Sequence, residues 1–280
     1  SFGTYGVYML SVLRRIVTEY VDWFTLVVSG ATGTSVALYT YMVPENVSEA
    51  LGDSRKMAGW IGGGLVVFGA GYAIFLTSRA VIVTPTSLGN RTAIAAAIGV
   101  AIAFVGAGGL VCSVLPARLR RGVFCLFILF VTMGGTVVNG TLGTFWERAY
   151  DRQKQILEQI QSRFPSMEAG STLILDGACP YVGPGVVFDS GWDLTGALRV
   201  LYDDPSIQAN IVTSRLVTKE DAIAIRRYGQ IRERYPYNGK LFVYNLDNGV
   251  VHRLSDVSAA RGYFEGKDPE FDNNCAPGAP

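Results

Sequence analysis

The sequence predicts an α-helical polytopic membrane region of about four spans, followed by an α/β soluble domain. Three observations predict it. Residues 1–144 hold long uncharged runs rich in glycine and alanine, whereas residues 166–280 are charged and rich in turn residues. Charged residues make up 17% of the chain, against about 25% in soluble domains, and the deficit lies in the first half. Between the halves, Thr144–Pro165 reads as an amphipathic helix. Ala149, Ile156, Leu157, Ile160 and Phe164 recur near helical spacing there, with Arg148, Asp151, Lys154, Glu158 and Arg163 on other faces. Pro165 ends it, because proline disfavours helical geometry in the residue before it. The domains are thus 1–144 transmembrane, 145–165 a linking helix and 166–280 an extracytoplasmic α/β domain.

In chain order, Phe2–Tyr20 is apolar but carries Arg14, Arg15 and Glu19. Charges at the bilayer centre are costly, so this segment reads as interfacial or as the tail of a truncated span. The chain begins without Met, and the notion of further residues upstream follows. Spans are expected near 23–43, 59–77, 92–115 and 122–144. Each has the roughly 20 apolar residues that cross a hydrocarbon core of about 30 Å. The basic residues Arg55, Lys56, Arg118, Arg120 and Arg121 fall in loops on one side, and Arg79 and Arg91 on the other. Positive charge favours the cytoplasmic side, which places the C-terminal half outside.

In the second half, Ser171–Asp176 reads as a buried strand, and the Gly/Pro-rich run Gly177–Gly185 as a loop. Val186–Phe188 reads as a short strand and Leu194–Tyr202 as a helix capped by Asp193. Ala209–Thr213 is a further strand, and Lys219–Arg227 a helix or an irregular segment. Leu241–Leu246 and Val250–Leu254 flank Asp247-Asn248-Gly249, a hairpin turn, since Asn-Gly tolerates positive φ. Ser255 is expected to cap a last helix, Val257–Phe264.

Composition excludes several functions. A net charge of +1 without a basic stripe argues against nucleic acid. One histidine, His252, and no CxxC leave neither a zinc site nor a Ser/His/Asp set, and no cofactor is implied. The Gly177–Gly185 loop lacks the GxxxxGK[ST] and GxGxxG patterns and reads as structural. Asp189 and Asp193 are carboxylates that could hold a cation, although cap and turn roles account for Asp193. Glu19 and Asp22, at the mouth of the first span, are either functional acids or interfacial anchors. Cys112 and Cys125 read as packing residues. Cys179 and Cys275 are the two cysteines of the half placed outside, where thiols oxidise, and a disulfide between them is expected.

Scattered positions in 90–265 add a resemblance: Trp146-x-x-x-Tyr150…Gln153…Gln159, Phe164-Pro165, Gly170-Ser171-Thr172-Leu173, Asp189…Trp192-Asp193-Leu194 and Tyr235-Pro236-Tyr237…Val243-Tyr244. This layout resembles the C-terminal half of bacterial multi-spanning proteins similar to dolichyl-phosphate-mannose mannosyltransferases, the C-type glycosyltransferases. The resemblance implies a bacterial inner-membrane protein. It brings over no catalytic residue, because the catalytic acids of that superfamily lie in an outer loop after its first span, and no such motif occurs here. The expected function is therefore an integral membrane protein related to lipid-linked glycosyltransferases, without a recognisable active site in this chain. The alternative is a structural or accessory subunit. Its partners would be membrane lipid and other subunits, met through the glycine faces Gly62–Gly64, Gly106–Gly109 and Gly134-Gly135. A transporter is disfavoured, since no charge lies within a span.

Overall fold

The computed structural model describes residues 23–43, 51–73, 94–213, 215–227 and 230–265. Expectations for Glu19, Asp22, Cys275, the 2–20 segment, the 78–91 loop and the tail from Gly266 lie outside these residues. The chain divides into two units, Ser1–Thr144 and Phe145–Pro280.

Four helices are described from the first unit onward: α1 (Trp23–Met42), α2 (Ser54–Ala73), α3 (Ile94–Ser113) and α4 (Ala117–Arg163). Glycine decides how they pack. A methyl group built on Gly64 would lie 2.5 Å from Ala103 N, and one on Gly99 would lie 2.3 Å from Phe68 N. Backbone approach this close along α2 and α3 requires residues without Cβ, as in membrane helix pairs. Gly33 on α1 meets Met133 and Leu129 on α4, and Gly140 meets Thr25, so α1 and α4 run antiparallel. Large apolar side chains point outward instead, among them Val66, Val111 and Phe130 at 71%, 65% and 68% exposure.

This unit corrects several expectations. Two helices, α3 over Ala96–Ser113 and α4, are long and apolar enough to cross a membrane, rather than about four. α1 and α2 have 20 residues each, enough for about 30 Å. The run Ser29–Ser35 dilutes α1, however, and Arg55, Lys56 and glycines dilute α2. Asp53 Oδ1 accepts the backbone N–H groups of Arg55 and Lys56 at 3.0 and 3.2 Å, so α2 starts five residues before Gly59. Arg118, Arg120 and Arg121 form the first helical turn of α4 rather than a loop. The expected fourth span and linking helix are one 47-residue helix. The glycine faces also differ from one another. Gly64, Gly106, Gly108 and Gly109 pack within the chain, while Gly62, Gly63, Gly134 and Gly135 meet nothing within 4 Å among the described residues.

The second unit is built on a four-stranded sheet of order β4-β1-β8-β9. Its strands are β1 (Thr172–Asp176), β4 (Gln208–Ile211), β8 (Leu241–Asn245) and β9 (Val251–Arg253). β1 pairs in parallel with β4 and β8, and β9 closes an antiparallel hairpin on β8. All five residues of β1 are buried, as the continuous aliphatic run predicts for a central parallel strand. Side chains alternate across it. Leu173 and Leu175 join Ala149, Ile156 and Ile160 of α4 and Leu194 and Leu198 of α5 (Gly191–Tyr202). Ile174 joins Ile223, Ile225, Tyr235 and Ala260 on the opposite face. The apolar stripe of residues 149–160 therefore covers the α/β core.

That opposite face is a three-stranded antiparallel sheet, β5 (Leu216–Thr218), β6 (Ala222–Arg227) and β7 (Gln230–Pro236), with α6 (Val257–Phe264). Lys219–Arg227 is thus mostly strand, not helix. Ile223 and Ile225 alternate inward, and antiparallel pairing on both sides satisfies the backbone of β6. A small hairpin, β2 (Tyr181–Val182) with β3 (Gly185–Val186), occupies the Gly/Pro-rich run. Two caps shift. Ser190, not Asp193, is the N-cap of α5. Asp256, not Ser255, caps α6 by accepting from Ala259 N at 2.9 Å.

Candidate functional site

In open α/β sheets, ligands bind beyond the carboxyl ends of strands, where successive connections diverge. β1 and β8 meet that condition. The chain leaves β1 through α5 to β4 on one side, while β8 continues to β9 on the other.

At the end of β1, Asp176 is fully buried. Its Oδ1 accepts Gly177 N–H at 3.0 Å, and its Oδ2 accepts Tyr263 Oη–H at 2.5 Å and Asn245 Nδ2–H at 3.3 Å. A buried carboxylate is tolerated only when such donors replace water. Gly177 has φ +78°, and a Cβ there would stand 2.8 Å from the Asp247 carboxylate, so both backbone and space demand glycine. Asn245 Oδ1 accepts Asp247 N–H and Asn248 N–H at 2.9 and 3.3 Å, which shapes the β8–β9 turn. The His252 ring lies 4.8 Å from that of Tyr263.

Asn245, Asn248, His252 and Tyr263 border a cleft of about 560 Å³, lined also by Arg253 and Gly262. The size suits a small ligand. Amide, imidazole and phenol groups around one aromatic face make it a hydrogen-bonding surface. Three of these groups are already engaged: Arg253 Nε donates to Gly239 O at 2.6 Å, and Asn245 Nδ2 and Tyr263 Oη donate to Asp176.

A second polar group forms at the start of α5. Tyr181 Oη donates to Asp189 Oδ1, and Asp193 Oδ2 accepts Asp189 N–H at 3.0 Å. Burial, then the bond to Asp189, holds the Tyr181 phenol well above its usual pKa. Asn210 Nδ2 donates to Glu233 at 2.8 Å and to Tyr235 Oη at 2.9 Å, and Tyr235 donates on to Glu233 at 2.7 Å. Gly191 fits beneath them because a Cβ would lie 2.6 Å from Asn210 Nδ2.

The structure therefore brings Asp189 and Asp193 together, but in the service of the loop–helix junction. Among the described residues no group of three or more His, Cys, Asp or Glu side chains is placed to hold a metal. Cys112 and Cys125 are buried free thiols, and Cys179 is not among the free cysteines. Asp176, Asn245 and Tyr263 were not singled out from the sequence. Asp176-Gly177 at the end of an aliphatic strand is a visible sign of such a site, whereas nothing local marks Tyr263. In comparisons with known proteins, no family model, no curated protein and no solved structure matches the chain.

Proposed function

We propose that this is an integral membrane protein in which the first unit spans the bilayer and the α/β unit works in water as a binding module. On this reading α1 and α2 cross the membrane together with α3 and α4, and the α/β unit lies outside the cytoplasm of a bacterial cell. The carrying observation is the opposite arrangement of apolar side chains in one chain. Val66, Val111 and Phe130 face outward in the helical unit, while Leu173, Ile174 and Leu175 of β1 are fully buried in the α/β unit. Exposed apolar surface on this scale is costly in water and favourable in lipid.

The layout resemblance to lipid-linked glycosyltransferases supports a role beside such chemistry, with the cleft at Asn245, His252 and Tyr263 binding a polar ligand rather than catalysing a reaction. A second reading, an accessory subunit, is favoured by the open glycines Gly62, Gly63, Gly134 and Gly135, which leave room for another helix to approach. Fractionation tests the membrane assignment. The chain is expected to stay in the pellet after alkaline carbonate washing, and protease added to spheroplasts is expected to cut between Ser166 and Glu265. Release by carbonate would overturn the spanning reading, and cleavage only after lysis would reverse the orientation. Transfer of labelled sugar from lipid carriers, compared in membranes with and without the chain, tests the link to glycosyl transfer. Equal transfer would leave the accessory reading.

A further inference from the structure

An apolar groove of about 390 Å³ opens between α1 and α4, lined by Ala37, Leu38 and Tyr41 on one helix and Gly122, Leu126 and Leu129 on the other. Gly122 adds no side chain, and nothing would contact a Cβ built there. At the same end of α4 stand Arg118 and Arg121, three residues apart and so on one face. The Arg121 guanidinium lies 4.8 Å from the centre of the Tyr41 ring. Its Nη2 donates to the carbonyls of Tyr41 and Val43, while its Nε is buried without a hydrogen-bond partner among the described residues. Arg118 is exposed. Neither pairs with a carboxylate among the described residues. Arg120 differs, because its Nε is committed to Leu115 O at 2.9 Å.

We propose that this groove binds one acyl chain of an anionic phospholipid, with its phosphate held by Arg118 and Arg121. The inference rests on the membrane-spanning reading above. An apolar channel that ends at two guanidinium groups, neither of them paired with a carboxylate among the described residues, matches the two parts of such a lipid. Guanidinium is the side chain best suited to phosphate, and basic sites between spanning helices collect anionic headgroups. A protein helix fits less well. At a diameter of about 10 Å, it would fill 390 Å³ within about one turn, whereas a single lipid tail can follow the groove along its length.

Cys125 also lines the groove and reports occupancy, while Cys112, buried elsewhere against Leu51, Met57 and Phe124, reports folding. The test measures maleimide labelling of both thiols by peptide mapping, using the full chain purified in neutral detergent after its membrane insertion is established by carbonate washing. Phosphatidylglycerol is expected to slow Cys125 labelling at least tenfold with Cys112 unchanged. Phosphatidylcholine or inorganic phosphate is expected to change Cys125 labelling less than twofold. Arg118→Gln, which removes no hydrogen bond or ion pair among the described residues, should abolish the difference between the two lipids, and Leu126→Trp should remove protection by filling the groove. Equal protection by phosphatidylcholine, protection by phosphate alone, or no protection by phosphatidylglycerol would each overturn the assignment. Release of the chain by carbonate would instead overturn the membrane reading beneath it.

Discussion

Substituting Gly99→Ala tests whether α2 and α3 pack as described. The added Cβ would lie 2.3 Å from Phe68 N, 2.6 Å from Gly64 O and 2.7 Å from Phe68 Cα. All three are backbone atoms, so no rotamer change relieves the overlap. Restoring ordinary contact near 3.4 Å separates the helices by roughly 1 Å, and a gap of that size forfeits a quarter to a half of the dispersion energy at neighbouring contacts. Overpacking of this kind costs about 1–3 kcal/mol, or roughly a 5- to 150-fold loss in the folded ratio. Gly63→Ala is the matched control: its Cβ meets nothing within 4 Å, and alanine is the better helix former. The assay is the temperature at which Cys112, 1% exposed, becomes reactive to a maleimide in detergent. A lower midpoint for Gly99→Ala with no decrease for Gly63→Ala is expected. Equal midpoints for Gly99→Ala and the unaltered chain, or an equal fall in both variants, would refute the packing.

Three further outcomes are expected. Leu198→Ala removes a fully buried side chain between α5 and the sheet and should cost about 2–5 kcal/mol, seen as faster proteolysis within the α/β unit. Hydrogen bonds from the Ala259 backbone and the Ser255 hydroxyl hold the Asp256 carboxyl below its usual range. That stabilisation is complete above the unfolded value of about 4 and is lost as pH falls through the lower folded value, so Asp256→Asn should flatten the melting curve of the α/β unit against pH in that acid window. Peptide mapping without reductant should recover Cys179 linked to Cys275; recovery of both as alkylated thiols would exclude the bond.

The legible parts of the fold were those in which one stretch of sequence carries its own reason. Ser171–Asp176 reads as a buried strand because of its aliphatic run Leu173–Leu175, and Asp247-Asn248-Gly249 reads as a turn because Asn-Gly tolerates positive φ, which Gly249 takes at +69°. Errors arose where a neighbour supplies the reason. Lys219–Arg227 reads as a helix or an irregular segment, and its residues 222–227 become a strand through pairing with β5 and β7. The caps slipped for a related cause. Ser190 and Asp193 stand three apart, and Asp193 reaches back to Asp189 N–H, so the acid read as the cap is the reciprocal partner of the junction. Residues 117–163 were split at the change in polarity near Thr144. Polarity, however, changes which surface a helix meets without ending its backbone ladder, and no proline interrupts the run.

The same distinction explains why the two polar groups of the α/β unit differed in visibility. Asp189 and Asp193 are near neighbours in sequence and were therefore noticed, but neighbours of that kind are the ones available to settle local backbone needs, and both are absorbed at the start of α5. The Asp176 group joins residues 69 and 87 positions apart, Asn245 and Tyr263. No local backbone requirement brings those side chains together. Their meeting depends on β1 pairing with β8 and on α6 docking beside it, so the fold gathers them at the strand ends, and two of them, Asn245 and Tyr263, reach the cleft.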